Sequence, residues 1–185
     1  MLYLLYQLML ERKIRKGRKF PRHIVVICSE VGDGFRKFVE WCRKFRIREI
    51  TVCSDSFSIE IENVKVNFIK NDKIYSKGDG DIVVNVLNHS GKREIVNAIK
   101  KFAEKIIRGE LSPYDVDESI FETELSIRSQ PDIIVKAGKE VSEFLIWQGI
   151  YSELYFMDID WKTIRYIDFL RMLREYQRRE RRYGR

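Results

Sequence analysis

The turn that follows the first apolar run carries side chains suited to chemistry at a sheet edge. The stretch HIVVICSEVGDG, residues 23–34, places Cys28, Ser29 and Glu30 directly after that run and before the glycines of a turn. In α/β proteins the turns after the carboxyl ends of the strands hold the functional site. A phosphate-binding or acid/base set of residues is expected there. The stretch alone leaves open whether the turn is a working site or one that has been lost.

Two glycine turns open predicted helices and could offer backbone N–H groups to a phosphate. They are GDGF at residues 32–35 and HSGKRE at residues 89–94. Neither matches a P-loop or a dinucleotide-binding fingerprint. We therefore interpret both mainly as structural turns.

The cysteines and histidines give no metal-ligand pattern. Cys28, Cys42 and Cys53 are widely spaced, form no CxxC pair and sit in apolar surroundings, and His23 and His89 are far apart. Structural zinc sites need closely spaced pairs of such ligands. The sequence therefore predicts buried free thiols and no metal site in this chain.

The positive charge is concentrated at the two ends of the chain. The net charge is +7, of which residues 11–22 carry +6 and residues 171–185 carry +5, so the remainder carries −4. Such ends could meet nucleic acid, anionic lipid or a diphosphate, or could be solvated helix faces. A basic nucleic-acid-binding protein is a distant hypothesis, because the chain has no motif of that class.

Apolar periodicity predicts one domain of the α/β class over residues 1–185, with a mostly parallel central sheet flanked by helices. Its ends are an amphipathic helix with a basic stretch, 1–20, and a helix with a basic tail, 163–185. No apolar run is long enough to cross a bilayer, so the cytoplasm is the expected location, and the first helix could lie on a membrane surface. The predicted strands are 23–28, 49–53, 64–69, 81–87, 131–138 and 151–156, and the main predicted helices are 2–16, 35–46, 95–106, 140–149 and 163–182.

The second half of the chain resembles a known family in its order of motifs. VLNHSGKREIVNAIKKFAEKIIRGELSPYDVDESIFETEL is followed by PDIIVKAG, FLIWQGIYSELYF and YIDFLRMLREYQRRERRYG. These stretches resemble the cis-prenyltransferases, and the likeness extends to LYLLYQLMLERKIRKGRKFPRHIVVI at the start. The resemblance implies a cis-prenyltransferase-like fold. It also implies a reaction that elongates an allylic diphosphate with isopentenyl diphosphate, using Mg2+.

The opening turn departs from the family at its chemistry. Catalytic members have an Asp-Gly-Asn-x-Arg run there, in which the Asp serves the metal and pyrophosphate and the Arg binds phosphate. In this sequence Ser29 falls at the Asp, Glu30 at the Gly and Asp33 at the Arg. A carboxylate has become a hydroxyl and a cation has become an anion, which reverses the charge that a diphosphate needs. The resemblance therefore implies a degenerate site.

Two further departures affect substrate binding. After Gly34 the chain enters a helix almost directly, without the longer segment that helps line the family's product tunnel. In KAGKEVSEF, Lys136 stands for the first Arg of the family's isopentenyl diphosphate loop, the second Arg is missing, and Ser142 is retained. Lys136 and Ser142 are thus weak candidates for diphosphate binding, since Lys lacks the bidentate geometry of Arg.

The C-terminal tail and the YSELYF region match the family better. Arg182 and Gly184 form the Arg-x-Gly that, in the family, reaches across a dimer and completes the partner's substrate site. Glu153 matches a position linked to metal and to the dimer interface. With the opening Asp absent, we expect Glu153, Trp147 and Tyr151 to serve the interface, with packing in the core as the alternative for the aromatic residues.

These features resemble the non-catalytic branch of the family, the Nogo-B receptor type of accessory subunit. The resemblance implies a chain without catalytic residues or metal of its own, paired with a catalytic subunit that holds Mg2+ and shares the isoprenoid diphosphate substrate. Self-association of the isolated chain stays open. The alternative is a divergent active homodimer, in which Glu30 or Asp33 serves the metal.

Overall fold

The computed structural model describes residues 2–17, 19–70, 73–88, 91–137, 145–157 and 160–179. Within these ranges it contains α-helices, β-strands and a 3-10 turn at Pro113–Asp115. The strands are β1 His23–Ile27, β2 Glu49–Cys53, β3 Val64–Lys70, β4 Lys73–Lys77, β5 Ile82–Leu87, β6 Ile133–Ala137 and β7 Glu153–Met157. The helices are α1 Leu2–Lys16, α2 Gly34–Lys44, α3 Gly91–Ile107, α4 Glu118–Thr123 and α5 Tyr166–Arg178.

The strands form one sheet in the order β4-β3-β5-β2-β1-β6-β7. All neighbouring strands are parallel except the β3–β4 hairpin. The predicted mostly parallel sheet flanked by helices is therefore confirmed. Sequence reasoning missed β4 because every residue of this edge strand is exposed, so KIYSK shows no alternation of buried and exposed positions.

Both faces of the sheet are covered, as the apolar run of β1 predicts. All five residues of β1 are buried. Ile24 and Val26 belong to the cluster that includes residues of α1, α2 and α5, whereas Val25 and Ile27 belong to a cluster on the opposite face. A strand buried on both faces reads as a continuous apolar run instead of an alternating one.

The boundaries of two predicted helices differ from the structure. The last helix begins at Tyr166, not at Thr163, because residues 161–163 form a turn and Arg165 caps the helix through Asp168. The Asp168 carboxylate accepts hydrogen bonds from the Arg165 side chain at 2.9 Å. The helix predicted at 140–149 is wrong for its described part, since residues 146–151 form turns. Among the described residues, no helix is long and apolar enough to cross a membrane.

Candidate functional site at the carboxyl edge of the sheet

The carboxyl ends of β1 and β6 mark the topological switch point of the sheet, where the connections from the two strands lead to opposite sides. The two strands are parallel neighbours, β1 connects to β2 on one side, and β6 connects to β7 on the other. Ligands of open α/β sheets bind in the crevice outside such a switch point. Ile27 and Lys136 are paired across these strand ends. The structure therefore brings the turn with Ser29 and Glu30 close to Lys136.

The turn after β1 is joined to the turn after β2 by backbone and side-chain hydrogen bonds. The Cys28 amide donates to the Cys53 carbonyl at 3.1 Å, and the Ser54 hydroxyl donates to the Ser29 carbonyl at 3.0 Å. Glu30 and Ser56 then form one further parallel bridge. These contacts continue the pairing of β1 with β2 beyond the ends of the strands. We call the two joined turns, residues 28–33 and 54–56, the ledge.

Glu30 is already paired with a cation of its own chain. Its carboxylate lies 3.0 Å from the ammonium of Lys162, and both side chains are more than half exposed. The hydrogen bond to Glu30 raises the pKa of Lys162 above its usual value. Exposed pairs of this kind add little to stability. The pair nevertheless means that the Glu30 carboxylate faces an ammonium group of its own chain.

Asp33 places a negative charge at the amino end of α2. It occupies the N-cap position of the helix, its side chain is 84% exposed, and its carboxylate lies 3.4 Å from Arg36. The amino end of a helix carries a partial positive charge that favours an anion. Here the chain supplies that anion itself, so a diphosphate at this position would meet a like charge.

The two glycines of the turn are explained by close packing against residues 161–164. A Cβ atom on Gly34 would lie 2.4 Å from the Trp161 carbonyl oxygen, and one on Gly32 would lie 2.3 Å from Cγ of Lys162. Trp161 is buried and contacts the rings of two α2 residues, Phe35 and Phe38. The interpretation of GDGF as a structural turn agrees with this packing. Sequence reasoning did not identify residues 161–164 as the contact, because they show no periodic pattern.

The thiol of Cys28, beside the turn, is protonated at neutral pH. Burial raises the pKa of Cys28 to about 11, although a hydrogen bond with Ser54 and the charge of Lys136 oppose that shift. Burial likewise raises the pKa of Cys53 to about 12. All three cysteines are free thiols, as predicted. A protonated thiol is neither a nucleophile nor a metal ligand at neutral pH.

The described residues contain no group of three His, Cys, Asp or Glu side chains placed to hold a metal ion. Mg2+ requires near-octahedral coordination by oxygen atoms, usually with one or two carboxylates. On the ledge Glu30 faces Lys162 and Asp33 faces Arg36.

The three residues expected at an interface have different surroundings. Tyr151 belongs to an exposed apolar set around the edge strand, which we call the β7 patch: Ile146, Ile150, Tyr151, Leu154 and Phe156. Trp147 instead packs within its own chain, with its ring centroid 4.5 Å from that of Phe121, and donates to Glu122. Glu153 is also held within the chain, by Arg179.

Arg179 fastens the end of the last helix to β7. Its guanidinium donates to the Glu153 carboxylate at 3.2 Å and to the Leu154 carbonyl at 2.7 Å. The Lys19 ammonium donates to the Arg179 carbonyl at 2.9 Å. Sequence reasoning missed this residue, because one arginine among seven in residues 171–185 gives no distinguishing signal. The chain therefore enters its last six residues from a fixed point beside the β7 patch.

Several predicted site residues fall outside the described ranges. Arg182, Gly184 and Ser142 are among them. Lys136 is described and is half-buried at the end of β6. Their expected roles therefore stay predictions.

Comparison with known proteins identifies the family. A prenyltransferase family model, described as "Putative undecaprenyl diphosphate synthase", matches residues 66–184. The match covers more than half of the chain. The chain belongs to this family. Because the match begins at residue 66, the turn at residues 28–34 lies outside it.

Two curated relatives of this chain carry the same name, tritrans,polycis-undecaprenyl-diphosphate synthase (geranylgeranyl-diphosphate specific). The protein of Methanocaldococcus jannaschii is 44% identical over 116 residues, which are 59% of this chain and 41% of the relative. The protein of Methanopyrus kandleri is 28% identical over 248 residues, covering 99% of this chain and 91% of the relative. This chain thus spans less than half of the first relative. The second alignment has 248 positions, whereas this chain has 185 residues. At least 63 positions of that relative therefore have no counterpart in this chain.

Solved structures show the same fold. A probable undecaprenyl diphosphate synthase from Campylobacter jejuni superposes with a TM-score of 0.72 at 20% identity, covering 90% of this chain and 100% of the other. Lavandulyl diphosphate synthase from Lavandula x intermedia, in complex with dimethylallyl diphosphate, gives a TM-score of 0.65 at 20% identity, covering 89% and 98%. At this identity the likeness concerns the fold alone.

Proposed function

We propose that this chain is a non-catalytic accessory subunit of a heteromeric cis-prenyltransferase. The complex makes long-chain polyprenyl diphosphates from an allylic diphosphate and isopentenyl diphosphate. The chain contributes its Arg182 and Gly184 tail to the partner's substrate site, and the partner holds the Mg2+. In this proposal residues 1–185 act as one cis-prenyltransferase-like domain.

One observation carries the proposal: the ledge after β1 presents anions where a diphosphate needs cations. Asp33 occupies the amino end of α2, and Glu30 is paired with Lys162. Catalysis of diphosphate departure depends on preorganised positive charge and a metal ion at the leaving group. Lys136 is the cation that β6 brings to this edge, and a point charge lacks the fork of an arginine. The chain's own site is therefore poorly suited to a diphosphate.

The position of the tail supports a role in a partner's site. Arg179 is fixed beside the β7 patch, and an exposed edge strand with apolar side chains is suited to cover by another chain. An interface formed there would place Arg179, the last described residue, next to the partner. An arginine in that tail would supply a guanidinium to the diphosphate in the partner's site.

The aligned positions of a relative that have no counterpart in this chain also support the proposal. A relative whose name is that of a synthase has at least 63 aligned positions without a counterpart here. The helix α2 begins at Gly34, directly after the ledge. A shortened chain leaves less protein to surround a growing isoprenoid.

The second candidate is a divergent, active homodimer. The names of the relatives favour it, because they describe synthases. Either Glu30, after leaving Lys162, or Asp33 would then serve the metal, with Lys136 near the diphosphate. This candidate requires that the purified chain turn over substrate without a partner.

Co-purification with a tagged chain from its own cells, followed by an elongation assay, tests the proposal. We expect a second subunit that carries an intact Asp-Gly-Asn-x-Arg turn. Arg182→Ala should lower the activity of the pair by roughly tenfold or more, because a charge-assisted hydrogen bond to the diphosphate is lost. Arg178→Ala, at an exposed arginine of α5, is the matched control and should leave activity within a factor of about two, since surface changes away from a site have small effects. Equal activity of the Arg182→Ala pair and the unmodified pair would contradict the role of the tail.

A further inference from the structure

We propose that the first two turns of α1 insert into the surface of an anionic lipid bilayer. Seven of the eight side chains from residue 2 to residue 9 are large, apolar and between 49% and 84% exposed. They are Leu2, Tyr3, Leu4, Leu5, Tyr6, Leu8 and Met9. Exposed apolar surface of this extent marks a site of interaction with a protein or a membrane. This inference does not depend on whether the chain is catalytic.

The exposed residues surround the helix. Successive residues of an α-helix are rotated by about 100°, so Tyr3, Leu4, Leu5 and Tyr6 point in four different directions. Each of these four is 49% exposed or more. A helix that is apolar on all sides is suited to an apolar environment that encloses it. A protein partner would cover one face of this segment, whereas lipid would cover all of them.

The second half of α1 is fastened to the body of the protein. Leu10 and Ile14 are buried, and the Ile14 carbonyl accepts a hydrogen bond from the Gln177 side chain at 3.0 Å. The Glu11 carboxylate pairs with the Lys44 ammonium at 2.8 Å. The apolar turns are therefore attached to the domain by a docked continuation of the same helix, which would transmit lipid binding to the whole chain.

The charges next to the apolar turns complement an anionic surface. Arg12, Lys13 and Lys16 follow directly and are exposed. The stretch 11–22 carries +6 in total. Each basic residue near an anionic membrane surface strengthens binding. An apolar segment followed by cations is the arrangement of helices that bind at a lipid–water interface. The apolar turns would enter the bilayer surface, and the basic residues that follow would stay at the lipid–water interface.

Vesicle co-sedimentation of the full chain tests this inference. The probes are vesicles of phosphatidylcholine alone and of phosphatidylcholine with phosphatidylglycerol, each at low and high salt. We expect sedimentation with the anionic vesicles, and a loss of binding by roughly tenfold or more for the triple variant L4S/L5S/L8S, since apolar burial in lipid is lost. The matched control is I74S/Y75S, which replaces equally exposed apolar residues on β4 and should bind as the unmodified chain does.

A second variant keeps the test decisive if the triple variant fails to fold. R12A/K13A/K16A leaves the apolar turns intact and should weaken binding to anionic vesicles while leaving the low affinity for neutral vesicles unchanged. The proposal is overturned if the unmodified chain does not sediment with anionic vesicles, or if both α1 variants bind as it does. It is also overturned if L4S/L5S/L8S converts a dimer into a monomer in light scattering without changing lipid binding, because the apolar turns would then be covered by a second copy.

Discussion

The guanidinium of Arg179 lies 3.2 Å from the carboxylate of Glu153, and this pair joins the end of the last helix to the first residue of the edge strand. The same guanidinium donates to the Leu154 carbonyl at 2.7 Å. The pair explains why Glu153 is only partly exposed although it begins a strand at the edge of the sheet. It also sets where the C-terminal tail departs, next to the β7 patch.

Loss of the contacts that Arg179 makes with Glu153 and Leu154 should weaken the action of the tail on the partner without unfolding the protein. Arg179→Ala is expected to reduce stimulation of a catalytic partner by roughly threefold to tenfold, because charge-assisted hydrogen bonds that position the tail are lost. Arg178→Ala, a substitution of the neighbouring exposed arginine, is the control and should have little effect. Elongation by the reconstituted pair measures this. Equal effects of the two substitutions would count against a positioning role for Arg179.

The β7 patch should be needed for association. Ile150→Ser combined with Phe156→Ser is expected to weaken subunit binding by roughly tenfold or more, since aromatic and apolar anchors at the centre of an interface dominate its affinity. Ile107→Ser is the control, because Ile107 is equally apolar, more exposed and located at the end of α3. Analytical ultracentrifugation measures the dissociation constant. An unchanged constant for the double variant would place the interface elsewhere.

The glycine turn should respond to substitution by losing stability. Gly34→Ala is expected to lower the free energy of unfolding by about 2 kcal/mol, because the added methyl group overpacks a buried contact. The Trp161 carbonyl and the Ile164 side chain would both lie within 3 Å of it. Ser29→Ala changes the same turn without that clash and serves as the control. Urea denaturation gives both values, and a Gly34→Ala chain as stable as the unmodified one would show that the turn has another role.

The buried histidine of β1 should make stability depend on pH. Burial lowers the pKa of His23 below its usual value of 6.5, although the charges of Glu49 and Asp132 oppose that shift. The folded chain thus keeps the imidazole neutral while the unfolded chain takes up a proton. Stability is therefore complete above pH 6.5 and is lost as the pH falls below it, by up to about 1.4 kcal/mol per pH unit.

Urea titrations at pH 7.5, 6.5 and 5.5 measure this dependence. His23→Gln should flatten the curve over this range, because the titrating group is removed. His89→Gln is the control, since the chain contains two histidines. If the slope persists in His23→Gln and disappears in His89→Gln, the assignment to His23 is wrong.

Much of the fold could be predicted from the sequence, because burial leaves a periodic signal. The apolar run of β1 correctly predicted a strand covered on both faces. The apolar spacing of Phe35, Phe38 and Cys42 correctly predicted α2. The strand β4 escaped prediction, since no face of it is buried. The predicted start of α5, at residue 163, is too early, because the capping interaction between Arg165 and Asp168 does not follow from periodicity.

The candidate site could be located but not fully described from the sequence. The position of Ser29 and Glu30 after β1 predicted that these residues lie at the carboxyl edge of the sheet, since the carboxyl ends of parallel strands meet there. The pairing of Glu30 with Lys162 could not be predicted, because the two residues are far apart in sequence and meet only through packing of the loop before α5. The same holds for Arg179 and Glu153.

Elongation by the purified chain alone tests the central claim most directly. The chain is incubated with an allylic diphosphate, labelled isopentenyl diphosphate and Mg2+, and the incorporation of label into polyprenyl products is measured. An accessory subunit with anions at its degenerate site should give no incorporation above background. Sustained elongation by the chain without any partner would contradict the account and establish the divergent homodimer instead.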